Sequence, residues 1–148
     1  MTRPLPDPGH ELFAPFWAGT LEGRVLVQRC DTCATPRWPV RPICPQCHAE
    51  GFSWHELPDR GVLHTWTVVW HRTIEELPPP YAVGIVEVGG VRVVGGVVDC
   101  PFDQLRVGMR LRPVFQAVTP EVTLVQWAPA SPGRATEHQK ARAAEEEK

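Results

Sequence analysis

The stretch YAVGIVEVGGVRVVGGVV, residues 81–98, decides the fold. Two valine-rich runs, 81–88 and 91–98, flank Gly89-Gly90, and a glycine pair between β-branched runs predicts a two-residue hairpin. Gly95-Gly96 inside the second run predicts a bulge or sharp bend, of the kind small barrels use to turn corners. Working outward, GVLHTWTVVWH at 61–71 reads as a preceding strand, with Val62, Trp66, Val68 and Trp70 sharing a face with His64. Downstream, CPFDQLRVG (100–108) predicts one helical turn closing at Gly108. MRLRPVFQAV (109–118) reads as a fourth strand, in which Pro113 requires an edge or a bulge because proline donates no ladder hydrogen bond. VTLVQWA (122–128) is the fifth. Five short antiparallel strands, with a long loop after the first and a short helix after the third, make a Greek-key barrel of OB type.

The whole composition agrees with a mainly β chain. The 148 residues include 17 prolines, against a usual share of about 5%, which disfavours a mostly helical protein. Charged residues are 22% and the net charge is -2, so neither a disordered polyelectrolyte nor a supercharged surface is indicated. Of the 15 basic residues, 13 are arginine, and the two lysines, Lys140 and Lys148, lie near the C-terminus. Nucleic-acid binding is largely neutralisation of phosphates, so a slightly acidic chain is a poor general binder, with a local arginine patch left open. No run of about 18 apolar residues predicts a membrane helix, and MTRPLPDPGHELF has no secretory pattern; a cytoplasmic protein is expected.

Upstream of the barrel, residues 25–56 hold four of the five cysteines as two C-x-x-C pairs, Cys30/Cys33 and Cys44/Cys47, with ten residues between them. Each pair forms a tight knuckle whose thiolates converge, and two facing knuckles complete a tetrahedral sulfur site. In a chain without secretory features this predicts one structural Zn2+, with iron, disulfides or a vacant site as lesser alternatives. All four positions are cysteine, so no coordination place is left open for a reacting water. A knuckle favours a residue that tolerates positive φ after its second cysteine, and Ala34 and His48 stand there. The zinc replaces a core that some 30 residues cannot build alone.

Residues 1–24 carry Leu12, Phe13, Phe16 and Trp17 at helical spacing, with Pro15 inside the pattern, predicting a short or broken helix. Residues 131–148 have no large apolar side chain and are expected to be disordered or weakly helical. The expected organisation is therefore 1–24 helical segment, 25–56 zinc ribbon, 57–130 barrel and 131–148 tail.

No catalytic constellation is expected. The sequence has no H-E-x-x-H, G-x-S-x-G or phosphate-loop motif, and Cys100 reads as a small buried residue at a strand end. The proline-rich loop HRTIEELPPPY (71–81) joins the first two barrel strands, where OB barrels bind ligands, and His71, Arg72 and Tyr81 are its candidate contacts. Phe16, Trp17, Trp38 and Trp54 lie in segments too small to hide them and are candidate partner contacts.

These elements in order (FWAG, RVLVQRCDTC, PRWPVRPICPQCHAE, GVLHTWTVV, PPPYAVGIVEV, GVRVVGGVV and LRVGMRLRPVF) resemble the zinc-ribbon plus OB-fold accessory proteins of acyl-CoA metabolism. The resemblance covers residues 12–128. It implies an N-terminal helix, a rubredoxin-like ribbon ligated by Cys30, Cys33, Cys44 and Cys47, and an OB barrel. It also implies a thiolase-like partner in a two-plus-two hetero-oligomer, sharing acyl-CoA, as in the retro-aldolases of steroid side-chain degradation. The chain is then a non-catalytic subunit of an acyl-CoA aldolase or thiolase-type complex. The alternative from the residues alone is a single-stranded nucleic-acid-binding module, since OB barrels with stacking aromatics serve that role.

Overall fold

The computed structural model describes residues 4–130; the expectation for 131–148 lies outside them. Helix α1 spans Ala14–Leu21 with Pro15 in its first turn. First-turn N–H groups have no intrahelical partner, so Pro15 opens the helix instead of breaking it. No helix among the described residues is long and apolar enough to cross a membrane.

The ribbon is a three-stranded antiparallel sheet. Strand β1 (Leu26–Cys30) lies between β2 (Pro36–Arg37) and β3 (Phe52–Glu56). The barrel follows: β4 (Gly61–Val69), β5 (Tyr81–Val88), β6 (Val91–Val97), β7 (Arg110–Ala117) and β8 (Thr123–Pro129). Its closed order is β4-β5-β6-β8-β7, with β7 returning to β4 through Leu111 and Arg110 against Gly61 and Val62. The fold is the mainly β ribbon-and-barrel arrangement expected, including the turn at Phe102–Gln104. One contact departs from the all-antiparallel expectation: β6 meets β8 in parallel at Val97 and Trp127.

Gly89 and Gly90, at φ +55 and +82, form the hairpin, which a left-handed pair of residues makes without splaying the strands. Gly95-Gly96 makes no bulge, because β5 and β6 pair without interruption from Ala82/Val97 to Val88/Val91. A Cβ on Gly95 would stand 2.9 Å from the Trp127 ring, so that glycine admits a buried indole. The bulge lies instead in β4, between Leu63 and Thr65. It splits the expected face: before it Leu63 is fully buried and Val62 is 41% exposed, whereas after it Trp66 and Val68 are half-buried, as expected, and Thr65 and Thr67 are exposed; Trp70, beyond the strand, is 66% exposed. Pro113 sits beyond the two residues of β7 and β4 that pair, where β7 has only β8 beside it, as its missing donor requires.

One core runs through all three parts. Phe16 of α1, Val25, Val27 and Leu57 of the ribbon region, and Leu63, Val86, Leu111 and Trp127 of the barrel belong to one buried cluster. Burying each such aliphatic side chain contributes roughly 1.5–3 kcal/mol. The hairpin tip abuts the ribbon: a Cβ on Gly89 would meet Leu57 at 2.6 Å and one on Gly90 would meet Pro36 at 3.1 Å.

Candidate metal centre and the ribbon–barrel cleft

The two knuckles repeat each other. Ala34 N–H donates to Cys30 C=O at 2.9 Å and His48 N–H to Cys44 C=O at 3.0 Å. Cys30 N–H donates to Thr35 C=O at 3.0 Å, and Cys44 N–H to Ala49 C=O at 2.8 Å. Closing both turns puts Ala34 at φ 60 and His48 at φ 63, at the positions where the sequence predicts a left-handed residue. Cys30 and Cys44 are buried, and Cys33 and Cys47 lie at the surface. His48 is exposed and outside the cysteine cluster.

All four Sγ atoms lie within 4.8 Å of one another, with Cys30–Cys47 and Cys33–Cys44 each at 3.6 Å. A tetrahedron with Zn–S bonds of about 2.3 Å has edges of about 3.8 Å. Sulfurs in a disulfide are about 2.05 Å apart. The spacing therefore fits one metal ion and no cross-link. The electrostatics agree. The Thr35 hydroxyl and N–H hold the Cys33 thiol down to about 6. Cys47 is pushed up to about 12: the Ala49 N–H lowers it, but Cys33, burial and the other thiols outweigh that pull. Thiols this close do not all ionise unless a cation compensates them. The residues fit one structural zinc ion, which when bound would cross-link β1 to the Cys44–Cys47 knuckle.

The aromatic residues singled out as contacts are less exposed than expected. Phe16 is 5% exposed, with Trp17 and Trp38 at ring-centroid distances of 4.9 and 4.6 Å, so its apolar surface is already covered within the chain. Trp17, Trp38 and Trp54 are half-buried and pack against the core. His71 and Arg72 are exposed on the loop after β4, while half-buried Tyr81 opens β5 with its hydroxyl 3.2 Å from that of Thr73. Thus the cysteines converge, Phe16, Trp17 and Trp38 form one cluster, and the 71–81 residues lie on the loop between β4 and β5. Cys100 is buried, and burial raises its thiol pKa, as an inert packing residue requires.

The sequence reading missed a cleft of about 870 Å³ between ribbon and barrel. Arg37, Arg41, Arg60, Arg92 and Arg110 line it, with Glu87 as the one acidic residue among its lining. The signal was present in P-R-W-P-V-R-P at 36–42, an arginine and proline run between the knuckles.

Comparison with known proteins follows the same division. The rubredoxin-like zinc ribbon domain of ChsH2 matches residues 17–53, and the C-terminal OB-fold domain of ChsH2 matches residues 54–116. A DUF35 domain-containing scaffold protein of Methanothermobacter thermautotrophicus is 33% identical over 96 residues, 63% of this chain and 72% of the relative. The chain belongs to the DUF35 family of zinc-ribbon and OB-fold proteins.

A solved DUF35 structure, "Ltp2-ChsH2(DUF35) aldolase", is 28% identical with a TM-score of 0.77, covering 87% of this chain and all of that one. A "Probable enoyl-CoA hydratase alpha subunit" of Thermomonospora curvata is 31% identical over 119 residues, 79% of this chain. This chain spans 37% of the length of that relative.

Proposed function

We propose that this DUF35 chain is a non-catalytic accessory subunit of a thiolase-like acyl-CoA enzyme, stabilising its partner and helping to form the CoA-substrate site. The observation that carries the reading is the match to a chain of the Ltp2-ChsH2(DUF35) aldolase over the whole of that chain. The likeness to a protein named as an enoyl-CoA hydratase subunit supports acyl-CoA chemistry. The complex would be a retro-aldolase or a condensing enzyme, with a steroid side-chain acyl-CoA as one fitting substrate. It would assemble two-plus-two in the cytoplasm.

The proposal includes a division of labour. Zinc and the shared core make the ribbon a rigid platform, and the half-buried Trp17, Trp38 and Trp54 offer aromatic edges to a partner. The exposed His71 and Arg72, with Tyr81 at the far end of the same loop, would face the partner or its acyl-CoA. Trp70, 66% exposed and edge-on to Phe102 at 6.1 Å, precedes that loop and extends the contact surface. The test is an acyl-CoA cleavage and condensation assay of the thiolase-like partner with and without this chain. Activity that rises with added chain to a stoichiometric plateau supports the reading. Activity indifferent to the chain, or turnover by the chain alone, contradicts it.

A further inference from the structure

Four exposed arginines line one open surface. Arg41 enters the ribbon–barrel cleft from the segment after β2, Arg60 from the residue before β4, Arg92 from β6 and Arg110 from β7. Arg37 lies behind this surface, 2% exposed and stacked on Phe52, and is not counted with them. The backbone fixes where the four stand. Gln28 Oε1 accepts the Arg41 N–H at 2.9 Å. Register sets Arg110 beside Val62, Val62 beside Glu87 and Glu87 beside Arg92, one row across four strands. Glu87 is the one carboxylate of the lining, and it already meets Arg92 and His64 at 3.4 Å each. Arg41, Arg60 and Arg110 make no ion pair with any described residue. Like charges gathered in one cleft repel, so three guanidinium groups are left that an anion would stabilise.

The chain carries a matching anion. Ala130 ends the described barrel beside this cleft, its N–H donating to the Arg110 C=O at 2.9 Å. Residues 131–148 continue from that point with their charges unevenly spread. Arg134, Glu137, Lys140 and Arg142 come first, then the run Glu145-Glu146-Glu147 and Lys148. Fifteen residues lead from Ala130 to Glu145, a span of about 22 Å as helix and about 50 Å fully extended. The acidic run therefore reaches any part of a space of about 870 Å³ that begins beside its own point of attachment.

We propose that Glu145, Glu146 and Glu147 occupy this cleft in the free chain, as an intramolecular counter-charge facing Arg41, Arg60 and Arg110. Guanidinium pairs with carboxylate in a bidentate geometry, and three carboxylates answer three unpaired arginines. Because the run is tethered, it meets them at an effective concentration of the order of millimolar, so a weak contact is enough to keep the cleft covered. Any other anionic group that approaches these arginines must first displace it, which makes the contact autoinhibitory. The contact needs no partner enzyme, so its loss would leave the accessory role untouched.

The test uses the zinc-loaded full chain and two readouts. Trypsin cleavage after Arg142 reports whether the acidic run is held, and Arg60→Gln/Arg110→Gln alters the cleft while leaving that cleavage site as it is. The double variant should be cut after Arg142 several-fold faster than the parent, with zinc content and melting temperature unchanged. Arg106→Gln, outside the cleft, should be cut at the parent's rate. The second readout is side-chain NMR of the chain with isotope-labelled arginine. Glu145→Gln/Glu146→Gln/Glu147→Gln should shift the Arg60 and Arg110 Nε–H signals and leave that of Arg106 in place. Salt at about 0.5 M should move the parent's signals the same way, since it screens exposed ion pairs. Equal cleavage rates in parent and double variant, or arginine signals indifferent to the triple substitution, overturn the proposal. Protection that grows with protein concentration overturns it as well, because the run would then belong to a second copy.

Discussion

At the residue scale the ribbon shows its constraints most plainly in Ala34. Its φ of 60 is set by two backbone hydrogen bonds of the first knuckle, and a β-carbon there costs roughly 1–2 kcal/mol. Ala34→Gly removes that strain but gives the unfolded chain more freedom, so the zinc-loaded protein should gain about 0.5–1 kcal/mol in denaturant unfolding. A loss of stability would mean the knuckle is not built as described. Cys44→Ala is the opposite case. It removes a buried thiolate, so zinc measured by atomic emission should fall from about one per chain to near zero. Acidification should release the ion from the parent as well, because protons compete with metal for thiolates. The ligand set was legible because C-x-x-C spacing is local. The burial of Arg37 was not, since it depends on Gln28 and Phe52, which the ribbon sheet brings to it from other strands.

Elements divide the same way. Gly89-Gly90 announced its hairpin because a two-residue turn needs only its own backbone. The β4 bulge, the parallel closure at Val97 and Trp127 and the purpose of Gly95 were hidden, because each is decided by strands distant in sequence. Those hidden contacts give sharp tests. Gly95→Ala places a methyl 2.9 Å from the Trp127 ring and 3.1 Å from the Val125 carbonyl, both in the packed barrel. Overpacking of that kind should cost about 1–3 kcal/mol in chemical denaturation. Gly96→Ala, whose nearest neighbour is Gln126 at 3.6 Å, should cost clearly less. Leu63→Ala, at the fully buried residue just before the bulge, should cost about 2–5 kcal/mol, while Val62→Ala on the outer face should be nearly silent.

For the whole molecule, the family and the ribbon-on-barrel architecture were legible from the order of motifs, whereas the cleft between them needed the docked structure. The core that joins α1, ribbon and barrel makes the parts interdependent. Chelating the zinc should therefore melt the ribbon first and lower the barrel's own unfolding temperature, seen as two steps in place of one by circular dichroism. The central claim is association with an enzyme. Co-expression of this chain with a thiolase-like partner, followed by size-exclusion chromatography with light scattering, tests it most directly. A single peak holding both chains in equal amounts, at the mass of a two-plus-two assembly, is the predicted result. Two separate peaks at micromolar concentration, each of the mass of its own chain, would contradict it.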